Sequence, residues 1–188
     1  SYNLFAIQGW LFNHEGTRRG EEFITRKITK NVAFIKYCFD YNFKVKPFSV
    51  GNIYAMRDWS DAEDFMDGVW KMLNNSEPKE YILASGKTTS VKDFISMAFK
   101  EIGINGIWEN KTDDNLNEKY YVIKNDKKIE LVNIDKKFYR PAEVELLCGD
   151  SSLAKKELNW KPKLDINGLI EKMVKYDYNE LIKLDRRK

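Results

Sequence analysis

The sequence predicts an α/β protein in which short apolar strands alternate with amphipathic helices. The run from Tyr2 to Phe12 is almost entirely apolar and carries no charge, which is typical of a strand buried on both faces of a parallel sheet. Several later segments carry apolar residues at helical spacing. With 188 residues, 43% of them hydrophobic, the chain is also long enough to bury a globular core.

A helix and a short strand follow the first strand and its polar loop. Residues Glu21 to Phe39 predict the helix, because Ile24, Ile28, Val32 and Ile35 fall on one face while Arg26, Lys27 and Lys30 fall elsewhere on the surface. The segment from Lys44 to Val50 predicts the strand.

The middle of the chain contains two helix-start patterns. Ser60 to Glu63 has the form of a capping box and predicts a helix that reaches Leu73. A buried strand is expected from Tyr81 to Ala84. Ser90 with Asp93 then introduces a second helix, which Gly103 ends.

The last third predicts a β-hairpin and two helices. The hairpin covers Tyr120 to Ile134, with its turn at residues 125–128. A short helix from Ser151 to Leu158 cannot continue past Pro162. Asp165 is placed to cap the final helix.

Composition excludes several classes of function. Lysine and arginine total 32 against 29 acidic residues, and the basic residues are spread along the chain, so a nucleic-acid interface is not indicated. No apolar stretch is long enough to cross a bilayer and no signal peptide is visible, so we expect a cytoplasmic protein. Two cysteines and a single histidine give no spacing typical of a metal site.

The loop after the first strand is the candidate ligand site. It holds Asn13, His14, Glu15, Arg18 and Arg19, at the carboxyl end of a strand where open α/β sheets bind ligands. Arginine side chains bind phosphate through paired N–H groups, so an anionic ligand is the first hypothesis. A solvated loop without a ligand is the alternative.

Long motifs in this loop and beyond resemble one enzyme family. The motifs are LFNHE, RRG and FITRK within Leu11 to Lys27, RDWSDAEDF from Arg57, and YRPAEVELLCGD from Tyr139. They resemble the C-terminal half of GDP-mannose 4,6-dehydratases, members of the extended short-chain dehydrogenase group. The resemblance implies the remaining strands and helices of a Rossmann-like domain, interleaved with a small α/β substrate-binding domain. Residues of about 1–20 and 49–86 would then be Rossmann-like, and those of about 21–48 and 87–188 substrate-binding.

The resemblance implies NADP-dependent conversion of GDP-mannose to GDP-4-keto-6-deoxymannose. The family's Tyr-x-x-x-Lys pair, and the Thr and Glu that act on the sugar, match positions upstream of Tyr2, and the Gly-rich cofactor motif is missing. We therefore assign no catalytic residue and expect this chain to be inactive by itself.

The resemblance also implies ligand contacts. His14 and Arg19 match positions that contact NADP. The positions that match substrate contacts are Asn13, Thr25, Lys27, Arg57, Arg140 and Glu143. Two simpler roles stay open from the residues themselves: an Arg57–Asp58 pair at a helix entry, and a Glu143–Arg140 pair across one turn.

Two further functions stay open. One is a stand-alone nucleotide-sugar binding module, and the other is a related nucleotide-sugar epimerase or reductase. The expected partners are GDP-mannose, further copies of the chain in a homo-oligomer, or the missing N-terminal half.

Overall fold

The computed structural model describes residues 4–110, 117–140, 142 and 144–186. The helices are α1 Ile24–Asp40, α2 Ala62–Leu73, α3 Val91–Glu101, α4 Ser152–Leu158 and α5 Ile166–Asp185. The strands are β1 Gly9–Leu11, β2 Asn13–Glu15, β3 Phe48–Val50, β4 Met56–Arg57, β5 Trp59–Asp61, β6 Tyr81–Leu83, β7 Thr89–Ser90, β8 Ile107–Glu109, β9 Lys119–Lys124, β10 Lys127–Ile134 and β11 Leu146–Leu147. The predicted α/β class is confirmed.

The first extended segment changes its partner at Phe12. Strand β1 pairs in parallel with β6, whereas β2 pairs in parallel with β5. The Phe12 amide still donates to the Leu83 carbonyl at 3.0 Å, so the change occurs within one residue. This switch presents Asn13 and the residues after it at the carboxyl end of β1.

The predicted strand buried on both faces is wrong. The strand begins only at Gly9, and Trp10 is 55% exposed. Within the described part of the chain, β1 pairs with β6 alone. One face therefore packs inward through Leu11 while the other stays open.

The hairpin is confirmed and forms the centre of the largest sheet. That sheet has the strand order β3-β10-β9-β8, with β10 antiparallel to β9 and parallel to β3. Its turn is shorter than predicted, because Asn125 and Asp126 alone connect the strands. Both have positive φ, 50° and 58°, as a two-residue type I′ turn requires.

A small sheet with the order β11-β4-β7 ties distant parts of the chain together. Asp58 follows β4 and is fully buried. Its carboxylate accepts hydrogen bonds from the Ser85 amide and hydroxyl, the Gly86 amide and the Gly149 amide. These bonds fix the backbone next to Arg57.

Two of the three predicted helix caps are confirmed. Ser90 Oγ accepts from the Asp93 amide at 2.9 Å, and Asp165 accepts from the Gly168 amide at 2.9 Å. The capping box at Ser60 is wrong, because Ser60 lies in β5 opposite His14 and the helix begins at Ala62. Because Ser60 pairs with β2 as part of a strand, it does not cap the helix.

Helices α1 and α5 are joined by a buried ion pair. Arg26 lies 2.5 Å from Asp177, and both are buried, so the prediction that Arg26 faces the surface is wrong. Burial raises the pKa of the Asp177 carboxyl, and the Arg26 charge opposes that rise.

The side chains pack into two hydrophobic clusters. The larger one combines α1, α3 and α5 with the sheet of β3, β9 and β10. The smaller one joins Phe65, Met72, Tyr81, Leu83, Ala154 and Trp160. The division of the chain into Rossmann-like and substrate-binding segments stays a prediction. No helix among the described residues is long and apolar enough to cross a membrane.

Candidate functional site

A cavity of about 430 Å³ opens between the start of α1, the loop after β3, strand β4 and residues 137–140. Its lining residues are Asn13, Glu22, Phe23, Ile24, Lys27, Gly51, Asn52, Ala55, Arg57, Trp59, Val91, Lys137, Phe138, Tyr139 and Arg140. Four of these are cations and only Glu22 is acidic. The cavity therefore favours a ligand with more than one negative charge.

Close backbone contact brings residues 137–140 to the cavity. Gly51 faces the Phe138 carbonyl so closely that a Cβ at position 51 would lie 2.3 Å from its oxygen. A larger residue would push this segment away. Glycine at position 51 is thus a requirement for placing Lys137 and Arg140 at the cavity.

Lys27 lies on the second turn of α1 with its ammonium over the Phe138 ring, 3.5 Å from the ring centroid. Burial lowers the pKa of Lys27, the charge of Lys137 lowers it further, and Asp135 opposes both. Lys137 is itself paired with Asp135 at 2.8 Å. Two ammonium groups thus lie close to one aromatic ring in the lining of the cavity.

Arg57 also lines the cavity. Its Nη1 donates to the Met56 carbonyl at 2.9 Å and reaches the Glu145 carbonyl at 3.4 Å. The Met56 amide also donates to the Glu145 carbonyl at 2.7 Å, so the backbone of β4 and of Glu145, which directly precedes β11, orients the guanidinium. The alternative left open by the sequence, a helix-entry pair of Arg57 with Asp58, is not seen, because the Asp58 carboxylate accepts from backbone and hydroxyl donors instead.

A second cavity of about 310 Å³ also has Asn13 in its lining. It is lined by Trp10, Leu11, Phe12, Asn13, His14, Arg19 and Leu147. Asn13 lines both cavities, so a ligand in one lies next to a ligand in the other.

His14 is fixed in orientation. Its Nδ1 lies 2.9 Å from the Phe12 carbonyl oxygen, and since a carbonyl only accepts, Nδ1 carries the proton and donates. The ring stacks on Phe65 with centroids 5.3 Å apart. His14 therefore presents a defined edge to the second cavity.

Arg19 is held between a carboxylate and an aromatic ring. Its Nε lies 3.1 Å from Glu15 Oε2, and its guanidinium carbon lies 3.5 Å from the centroid of the Phe23 ring. Glu15 is buried, and this burial raises the pKa of its carboxyl, while the hydrogen bond from Thr25 and the Arg19 charge oppose the rise.

The structure brings together most of the residues that were predicted from the sequence to bind ligands. Asn13, Lys27, Arg57 and Arg140 share the larger cavity, and His14 and Arg19 share the smaller one. Thr25 lies elsewhere: it is fully buried and donates to Glu15 at 2.6 Å. Glu143 lies outside the described residues, so its contact with substrate and its pairing with Arg140 stay predictions.

Sequence reasoning missed Lys137 and Phe138. Both lie in the segment KKFYR, directly before Arg140. Their closeness in sequence to Arg140 could have pointed to them. Their position at the cavity, however, depends on the contact of this segment with Gly51, which the sequence does not reveal.

The literal spacing Tyr-x-x-x-Lys occurs at Tyr120 and Lys124, but these residues are not the family's catalytic pair, for which the resemblance implies positions upstream of Tyr2. Both residues lie in strand β9, where positions four apart are separated by about 13 Å. Tyr120 is buried, and its hydroxyl accepts from the Gly106 amide at 3.0 Å. This pair cannot act together on one ligand atom.

Comparison with known proteins is consistent with this geometry. The sequence profile described as GDP-mannose 4,6 dehydratase matches residues 1–173. The chain is 42% identical over 177 residues to the GDP-mannose 4,6 dehydratase of Cricetulus griseus, covering 94% of this chain and 45% of that relative. It is 39% identical over 185 residues to the enzyme of Vibrio cholerae, covering 96% and 48%. The chain thus spans about half the length of the relatives it matches.

Solved structures show the same fold at low identity. RMD from Pseudomonas aeruginosa complexed with NADPH superposes with a TM-score of 0.67 at 15% identity, covering 91% of this chain and 47% of that one. The dTDP-glucose 4,6-dehydratase of Bacillus anthracis in complex with NAD gives 0.63 at 14%, covering 97% and 47%. The predicted partial Rossmann-like α/β fold is therefore confirmed.

Proposed function

The chain belongs to the GDP-mannose 4,6-dehydratase family, and from this premise we propose that it supplies the GDP-sugar-binding part of an NADP-dependent GDP-mannose 4,6-dehydratase. One observation carries the proposal. Cations from three separate segments, at Lys27, Arg57 and the 137–140 region, converge on one cavity that shares Asn13 with a second cavity.

The larger cavity suits a nucleoside diphosphate sugar. Arg57 and Arg140 are the candidates for the diphosphate, because a guanidinium binds phosphate oxygens through two parallel hydrogen bonds. Lys27 and Lys137 add positive charge beside the Phe138 ring. The amide of Asn13 can both donate to and accept from polar groups of the ligand where the two cavities meet.

The smaller cavity suits part of a phosphate-bearing dinucleotide. Arg19 contributes a guanidinium that can bind phosphate, and His14 offers a fixed polar edge. A volume of about 310 Å³ holds only a portion of NADP, so the remaining contacts belong to the rest of the enzyme. When bound, NADP would accept hydride from C4 of the mannose ring and return it to C6 after water is lost across C5 and C6.

Turnover would depend on groups outside this chain. We propose that the chain alone binds nucleotide but forms no GDP-4-keto-6-deoxymannose, and that activity appears only when the other half of the enzyme is present. Binding of that half, and assembly into a homo-oligomer, are part of the same proposal.

Calorimetric titration tests the binding proposal. Folded chain is titrated with GDP-mannose, GDP, UDP-glucose and NADP in one buffer. We expect binding of the GDP ligands and at least tenfold weaker binding after Arg57→Ala or Lys137→Ala, since charge-assisted hydrogen bonds contribute about 1.5–3 kcal/mol each. Lys183→Ala, which removes an exposed cation near the end of α5, is the matched control. Equal affinity for UDP-glucose would favour a relative with another substrate, and no binding would refute the proposal.

A further inference from the structure

Glu15 is a buried carboxylate next to a cavity for which we propose an anionic ligand. Only 1% of its surface is exposed. It is not among the residues that line the second cavity, where its neighbours His14 and Arg19 lie. A buried negative charge beside a phosphate site needs a reason, because it repels the ligand and is itself costly to bury.

One oxygen of Glu15 connects two elements. Oε2 accepts the hydrogen bond of the Thr25 hydroxyl at 2.6 Å and lies 3.1 Å from Arg19 Nε. Among the described residues, Arg19 Nε has no well-aligned hydrogen-bond acceptor, so its contact with Glu15 is an ion pair. Thr25 is fully buried at the start of α1, so it gives Glu15 a fixed hydrogen-bond donor.

The other side of Arg19 is also anchored at the start of α1. Its guanidinium carbon lies 3.5 Å from the centroid of the Phe23 ring, and its backbone amide closes a turn by donating to Gly16 at 3.0 Å. Glu15 takes Nε, the nitrogen nearest the chain. This leaves the two terminal nitrogens, which form the fork that binds phosphate.

We propose that Glu15 and Thr25 are positioning residues that hold the Arg19 guanidinium ready for a phosphate group of the ligand in the second cavity. This inference rests on the proposed function of that cavity. Thr25 then acts through Glu15 and Arg19, and its own hydroxyl does not touch the substrate. An arginine held in place loses less side-chain freedom on binding than one that is mobile beforehand.

The direction in which one substitution changes the affinity for anions separates this role from simple electrostatics. Glu15→Gln keeps the shape and removes the negative charge. If Glu15 only contributes charge, its removal strengthens anion binding, because repulsion is lost. If Glu15 positions Arg19, the same change weakens binding.

The experiment compares wild type with Glu15→Gln, Thr25→Val and the conservative variant Thr25→Ser, each shown to be folded by circular dichroism. NADP and GDP affinities are measured by calorimetry. Inorganic pyrophosphate is titrated separately while the side-chain N–H signal of Arg19 is followed by NMR. We expect Glu15→Gln and Thr25→Val to bind NADP, and pyrophosphate at Arg19, roughly tenfold more weakly, with Thr25→Ser close to wild type and GDP affinity unchanged in all.

The outcomes are distinguishable. Unchanged or tighter binding of NADP and pyrophosphate by Glu15→Gln overturns the inference and leaves the proposed function standing. If wild type binds no NADP, the proposed cofactor role fails for this chain. The pyrophosphate titration followed at the Arg19 N–H signal then tests the positioning role by itself. No pyrophosphate response at Arg19 in wild type overturns it.

Discussion

Asp58→Asn tests how the wall of the larger cavity is held. The carboxylate of Asp58 accepts four hydrogen bonds: two at Oδ1 from Ser85, and two at Oδ2 from the amides of Gly86 and Gly149, at 2.9 and 3.3 Å. Asparagine has nearly the same shape but carries an NH₂ group at one of these positions. If its oxygen faces Ser85, its NH₂ faces two N–H donors that it cannot accept from.

The expected loss of stability follows from these bonds. Leaving a buried donor unsatisfied costs about 1–3 kcal/mol, and the longer bond to Gly149 belongs at the low end of that range. We expect the free energy of unfolding to fall by about 3 kcal/mol. Urea denaturation followed by tryptophan fluorescence measures the change.

Asp67→Asn is the matched control for Asp58→Asn. Asp67 makes longer, more exposed contacts with Lys71 at 3.5 Å and Lys163 at 3.8 Å. The same chemical change there should alter stability by less than about 1 kcal/mol. A loss of under about 1 kcal/mol for Asp58→Asn would refute the reasoning, because it would mean that the four donors find other partners.

Two further predictions concern packing and titration. Gly68→Ala in α2 should lower the free energy of unfolding by about 1 kcal/mol or more, although alanine favours helices. The new Cβ would lie 2.7 Å from Leu83 Cδ1 and 2.9 Å from Trp160 Nε1, and the indole is held in place by its hydrogen bond to the Asp64 carbonyl. Equal or greater stability in urea denaturation would contradict this. The hydrogen bond to Glu118 and partial burial raise the pKa of Tyr54 to about 12, so the neutral phenol contributes stability below pH 10 that is lost as the pH rises toward 12. In an absorbance titration of the tyrosines, Tyr54→Phe should remove a late-ionising group and Glu118→Gln should make it ionise earlier; an unchanged high-pH limb in both variants would argue against the contact.

Local signals in the sequence predicted some elements and missed others for physical reasons. The caps at Ser90 and Asp165 were predictable, because a cap is a contact between residues three apart. Ser60 shows the same local pattern but lies in β5, since pairing with β2 is a contact between residues far apart in sequence. The run from Tyr2 to Phe12 indicated burial, yet composition does not reveal which neighbours a strand has.

The candidate site shows the same division. Asn13, His14 and Arg19 were expected from the polar loop after the first strand, and the family resemblance singled out Lys27, Arg57 and Arg140. Their convergence on two adjoining cavities depends on tertiary contacts, such as the approach of Phe138 to Gly51. Thr25 points to Glu15 instead of the cavity, a direction set by the rotation of α1 about its axis.

A crystal structure of the chain with GDP would test the central claim most directly. We predict that the diphosphate lies in the larger cavity, with its oxygens about 2.7–2.9 Å from the guanidinium nitrogens of Arg57 and Arg140. GDP bound at another surface, or an empty cavity at a GDP concentration that saturates the chain in solution, would contradict the assignment of this cavity to the nucleotide sugar.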